Sequence, residues 1–101
     1  MKSFGEIIRE ERIKRKLFLR HVSAEIDIDQ ALVSKFEKAE RKPSKEQVKK
    51  FANFFNINED HLIIAWLSDK VAYELQNEKH ANKVLKVAEH KVKYLTKNGN
   101  K

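Results

Sequence analysis

The side chains best placed for chemistry in this chain are Gln30, Ala31, Ser34 and Lys35, within LFLRHVSAEIDIDQALVSKFEK over 17–38. This stretch reads as two short helices joined by a tight turn. Val22, Ile26, Ile28, Val33 and Phe36 are spaced so that both helices can share one core. That leaves Gln30, Ala31, Ser34 and Lys35 facing outward on the second helix. A glutamine amide can donate to and accept from an adenine edge at once, and a short alanine lets a helix approach closely and touch a thymine methyl. The chemistry these residues suit is recognition of base edges in a DNA major groove, not bond making.

The elements that must position this face are helical. Two glycines and one proline in 101 residues imply helices with short connections. Ser3 with Glu6 forms a capping box that starts a first helix near Phe4, with Phe4, Ile7, Ile8 and Ile13 expected to face inward. A second helix is expected from about Phe18 to Glu25. Asp29 is a good N-cap for the third. Ser44 after Pro43, with Gln47 three residues on, starts a fourth whose apolar face is Val48, Phe51, Ala52 and Phe55. Asn58 caps a fifth, expected to carry Leu62, Ile63, Ala65 and Trp66 into the core.

Beyond residue 67 the pattern changes. Ala81, Leu85, Ala88, Val92 and Leu95 recur at steps of four, three, four and three, a heptad-like seam of little more than two heptads. Val84 and Val87 widen its apolar face. A C-terminal helix, or two segments of one, is expected over 70–97, its seam serving dimerisation or a protein partner. The last residues, KNGNK, are expected to fray.

The string KLFLRHVSAEIDIDQALVSKFEKAERKPS, followed by KKFANFFNINEDHLI, resembles the Cro/C1-type (XRE family) helix-turn-helix domain over Phe4 to Leu67, about two thirds of the chain. The resemblance implies an all-α, five-helix lambda-repressor-like DNA-binding domain over 1–67, with 68–101 as a C-terminal helical extension. It implies that the third helix reads bases and that a homodimer binds a palindromic site on double-stranded DNA. Gln30, Ala31 and Lys35 match the family's reading positions. Arg12 and Glu37 match a pair that in many members forms a buried ion pair between helices 1 and 3. Arg41 and Lys42, with Lys38 just before them, match the loop that grips phosphate. Three positions depart. Asp27 stands for the turn glycine, and aspartate tolerates positive φ better than most residues. Ser23 stands for a small alanine. Leu19 stands for a polar residue that often holds phosphate, so Arg20 or His21 is expected to serve instead. The function expected is that of a dimeric repressor or autoregulator of a small operon. The alternative is an antitoxin or other interaction module whose C-terminal helix binds a partner protein.

Other classes find little support. The net charge of +7 suits polyanionic partners without proving one. There is no cysteine, hence no disulfide framework and no thiolate metal site. His21, His61, His80 and His90 lack metal-ligand spacing, and no Gly-rich phosphate loop or nucleophile motif is present, so neither a cofactor nor an enzymatic activity is expected. The longest apolar run, Leu62 to Leu67, is far too short to span a bilayer. A cytoplasmic location with no membrane contact is the expectation.

Overall fold

The computed structural model describes residues 1–99, and its six helices are α1 (Phe4–Lys14), α2 (Leu19–Ile26), α3 (Gln30–Glu37), α4 (Lys45–Phe55), α5 (Glu59–Leu75) and α6 (Ala81–Gly99). Among the described residues there is no strand. The chain divides into two compact units, 1–70 and 71–101, so the boundary falls inside α5, three residues beyond the change of composition at 67.

Local chemistry starts most of the helices of the first unit. Ser3 and Glu6 exchange hydrogen bonds of 3.2 and 3.1 Å at the head of α1. Hydrogen bonds from the Ser3 backbone N–H and then its hydroxyl hold the Glu6 carboxyl below its ordinary pKa. Ser44 and Gln47 repeat the device at α4 with bonds of 3.2 and 2.9 Å. Asn58 Oδ1 accepts from the His61 N–H at 2.9 Å and starts α5. Helix α2 begins one residue later than its sequence suggests. Phe18 occupies the N-cap and has no side-chain acceptor, and the His21 ring turns back so that Nδ1 accepts from the Phe18 N–H at 3.1 Å.

The core of this unit joins Phe4 and Ile8 of α1, Val22 and Ile26 of α2, Ile28, Val33 and Phe36 around α3, the α4 face Val48, Phe51, Ala52 and Phe55, and Leu62 and Trp66 of α5. Phe51 is its hub, edge-on to Phe4 at 5.6 Å and to Phe36 at 6.2 Å. Trp66 donates from Nε1 to the buried Pro43 carbonyl at 3.0 Å, which satisfies its polar atom. Lys70 Nζ lies 3.8 Å from the Trp66 ring centroid.

Three sequence expectations need correction. Ile13 is 49% exposed. It lies nine residues after Phe4, about half a turn round the helix from it, and the inward position one turn after Ile8 belongs to Arg12. Helix α2 is shifted to Leu19–Ile26, since Phe18 is its cap. On α5 only Leu62 and Trp66 are fully buried, while Ile63 packs at the core margin and Ala65 is half-buried.

In the second unit, α5 ends at Leu75, Gln76 to His80 form the turn, and α6 runs nineteen residues to Gly99. Of the tail expected to fray, Lys97 to Gly99 are helical, and Asn100 and Lys101 lie outside the described residues. No described helix is long and apolar enough to cross a membrane.

Candidate nucleic-acid interface

The turn between α2 and α3 fixes the presentation of α3. Asp27 closes α2 with φ 55° and ψ 51°, the left-handed conformation that a turn glycine would otherwise supply. The Ser23 hydroxyl donates to the Ile28 carbonyl across this turn. Two residues on, Asp29 Oδ1 accepts from the backbone N–H groups of Ala31 at 2.8 Å and Leu32 at 3.2 Å, capping α3. Its carboxylate also complements the positive end of the helix dipole.

Once α3 is anchored in this way, Val33 and Phe36 are buried on one side. Gln30, Ala31 and Lys35 are exposed on the other, and Ser34 is half-buried at the edge of that face. A surface of one amide, one methyl and one long cation, free of bulky side chains, suits a groove whose walls are phosphates and whose floor is base edges.

The opposite side of α3 is clamped to α1. Arg12 Nε donates to Glu37 Oε2 at 2.8 Å and Arg12 Nη2 to Glu37 Oε1 at 3.0 Å, while Nη1 donates to the Leu17 carbonyl at 3.0 Å. The side chains are 15% and 5% exposed. The bond to Glu37 raises the Arg12 pKa above its ordinary value despite the opposing effect of burial. Arg12 is therefore structural and cannot at the same time hold phosphate. Arg15 is also committed, donating from Nη2 to the Phe55 carbonyl and lying 5.2 Å from the Phe55 ring centroid.

Cations precede and follow α3 in the chain. At the head of α2, Arg20 lies 4.6 Å from the centroid of the Phe18 ring, and the His21 ring lies against the same phenylalanine at 5.5 Å. With His21 Nδ1 accepting, Nε2 is the ring nitrogen placed to donate to a further acceptor. After α3, Lys38 forms the C-cap, Ala39 takes φ 61°, and Arg41 and Lys42 follow, all exposed. The seam residues of α6 belong to the second unit. Ala81 and Ala88 are half-buried, Leu85 is exposed, and Val92 and Leu95 are 61% and 65% exposed.

Several contributors had no sequence signal or a weak one. Asp69 Oδ2 accepts from the Phe4 N–H at 2.8 Å and so ties α5 to the start of α1. These residues are 65 apart, which no local pattern reveals. Phe18 as a perch for Arg20 could have been suspected only from an exposed aromatic standing where a capping hydroxyl is usual. Among the described residues, no three His, Asp or Glu side chains gather as a metal site.

The family model described as Helix-turn-helix matches residues 8–62, which is more than half the chain and includes every element built above from α2 to α4. No curated protein and no solved structure matches the chain. The capped α3, its short turn from α2 and the family match agree, and the chain belongs to the Cro/C1-type (XRE) helix-turn-helix family of DNA-binding regulators.

Proposed function

We propose that this chain acts as a homodimeric, sequence-specific transcriptional regulator, a repressor or autoregulator of a small operon. The observation that carries this reading is the division of α3. Its inner face is sealed into the core by Val33 and Phe36 and tied by Glu37, while Gln30, Ala31 and Lys35 remain exposed. In this reading Gln30, Ala31, Ser34 and Lys35 meet base edges. Arg20, His21, Lys38, Arg41 and Lys42 meet phosphate and set the register.

One small module gives limited affinity and specificity, so a second copy is physically expected. The seam of Ala81, Leu85, Ala88, Val92 and Leu95, exposed at all but its two half-buried alanines, supports it, since a two-fold interface would cover an apolar row that otherwise faces water. The same row supports the second reading, a different protein as partner of α6. Selection of bound duplexes from a random library tests the first reading. An inverted repeat with half-sites about one helical turn apart supports the dimeric regulator. Recovery of single half-sites or of no preferred sequence counts against it.

A further inference from the structure

The apolar seam of α6 has a counterpart on the other side of the helix. Lys83, Lys86, His90, Lys93 and Lys97 follow one another at steps of three, four, three and four, and all are exposed. That spacing places them in one row along one helix face. By helical geometry the row lies roughly opposite the seam, about 160° round the axis. Lys79, one step of four before Lys83, precedes it in the turn. Glu89 is the one acidic residue of α6, and it meets Lys93 at 3.1 Å through an exposed pair that solvent and salt weaken. Residues 71–101 hold seven lysines against three glutamates, which is four of the seven net positive charges in less than a third of the chain.

The pairs Lys83–Lys86 and Lys93–Lys97 in this row are unfavourable in isolation, because like charges three and four apart on a helix repel. A polyanion alongside removes that penalty. The row from Lys83 to Lys97 is about 21 Å long, and duplex DNA carries one charge per about 1.7 Å of its axis. Several phosphates therefore fit beside it. Lysines are point charges without the fork geometry that reads bases, so the contact would carry affinity and no sequence preference. A lipid surface suits α6 less well. Helices that lie in membranes bring Trp, Phe or Leu on a broad apolar face; α6 brings Leu85 and Leu95, flanked by Val84 and Val87, but no Trp or Phe, and two of its five seam positions are alanine.

We propose that the lysine row of α6 is a second DNA contact, a sequence-independent phosphate-binding stripe. The proposal rests on the DNA-binding reading above, and covering the seam with a second copy leaves this row available.

The test compares the full chain with its K83Q/K86Q/K93Q/K97Q variant on a random-sequence duplex of roughly 40 base pairs over a range of KCl concentrations. Glutamine forms helix about as well as lysine, so circular dichroism and sedimentation should match the wild type. The slope of log affinity against log salt should be shallower in the variant by about three to four per chain. Affinity at physiological salt should fall at least about tenfold, given that sensitivity to released counterions. A Gln30→Ala variant should keep the wild-type slope on the same duplex. Equal slopes for the wild type and the four-lysine variant would overturn the stripe and leave the DNA-binding reading standing. Equal slopes together with wild-type binding to phosphatidylserine vesicles, lost in the variant, would assign the row to lipid. A wild type that binds no duplex at all would overturn both readings.

Discussion

Arg12 and Glu37 meet side by side, with two parallel hydrogen bonds of 2.8 and 3.0 Å joining α1 to the last turn of α3. The third donor of the guanidinium is taken by the Leu17 carbonyl, so the pair also holds the turn that leads into α2. Helix α3 is thus locked at its far end by charge and at its near end by the Asp29 cap. Glu37→Gln leaves the guanidinium short of a carboxylate in a largely enclosed position. It should cost about 3 kcal/mol, the low end for a broken buried pair because Arg12 retains some solvent contact. A urea midpoint close to that of the wild type would show that the pair does not stabilise the fold. Because the Arg12 pKa is raised on folding by the Glu37 carboxylate, its share of stability is present below the ordinary arginine value while Glu37 is ionised, and is lost as pH rises through the raised value.

Gly5 is what lets α1 press on the end of α3. A Cβ there would stand 2.5 Å from the Phe36 carbonyl oxygen and 2.7 Å from that of Glu37, both rigid backbone atoms. Gly5→Ala should therefore destabilise by about 1–3 kcal/mol, as overpacking does, in spite of alanine's better helix propensity. The lowered midpoint should come with weaker DNA binding, since the displaced element is α3, which carries Gln30, Ala31 and Lys35. Wild-type stability in this variant would mean that the two helices are not in such close contact.

Ala39 presents the opposite case. It is exposed with φ 61°, a conformation that costs an L-residue about 1–2 kcal/mol and glycine almost nothing. Ala39→Gly gives back part of that in unfolded-chain entropy, for a net gain of about 0.5–1 kcal/mol. Thermal unfolding should shift upward with DNA affinity preserved. A lower melting temperature would show that the turn after α3 is not strained at this residue.

The seam of α6 predicts a double substitution. Leu85→Glu with Val92→Glu puts two carboxylates in the middle of the apolar row. A helix–helix interface built on that row would have to bury them unpaired, at several kcal/mol each. Sedimentation should show the wild type as a dimer and the variant as a monomer with unchanged helix content. A variant as dimeric as the wild type would place the interface elsewhere and leave the seam for a different partner.

Much of the first unit was legible because its signals are local. Ser3 with Glu6, Asp29, Ser44 with Gln47, and Asn58 each announce a helix start within four residues, and the structure uses all of them. The face of α3 was legible for the same reason, as a capped start followed by two buried positions. Contacts across long sequence distances were not. Asp69 reaches the start of α1, Arg15 reaches the end of α4, and the need for glycine at position 5 depends on the approach of another helix. Ile13 misled because an apolar residue in a charged helix suggests a core position, yet the helical period places Arg12 there. The change in composition at residue 67 did not mark the end of α5, because a helix can continue past the core that it packs on.

Whether the outward face of α3 reads sequence is measured most directly by a competition assay on Gln30→Ala. Wild type and variant are titrated with the duplex enriched by library selection, with its single-base changes, and with random duplex. The variant should lose about 1–3 kcal/mol on the selected duplex, become indifferent to one base position in each half-site, and bind random duplex as the wild type does. Equal losses on selected and random duplex, with base preference intact at every position, would contradict it.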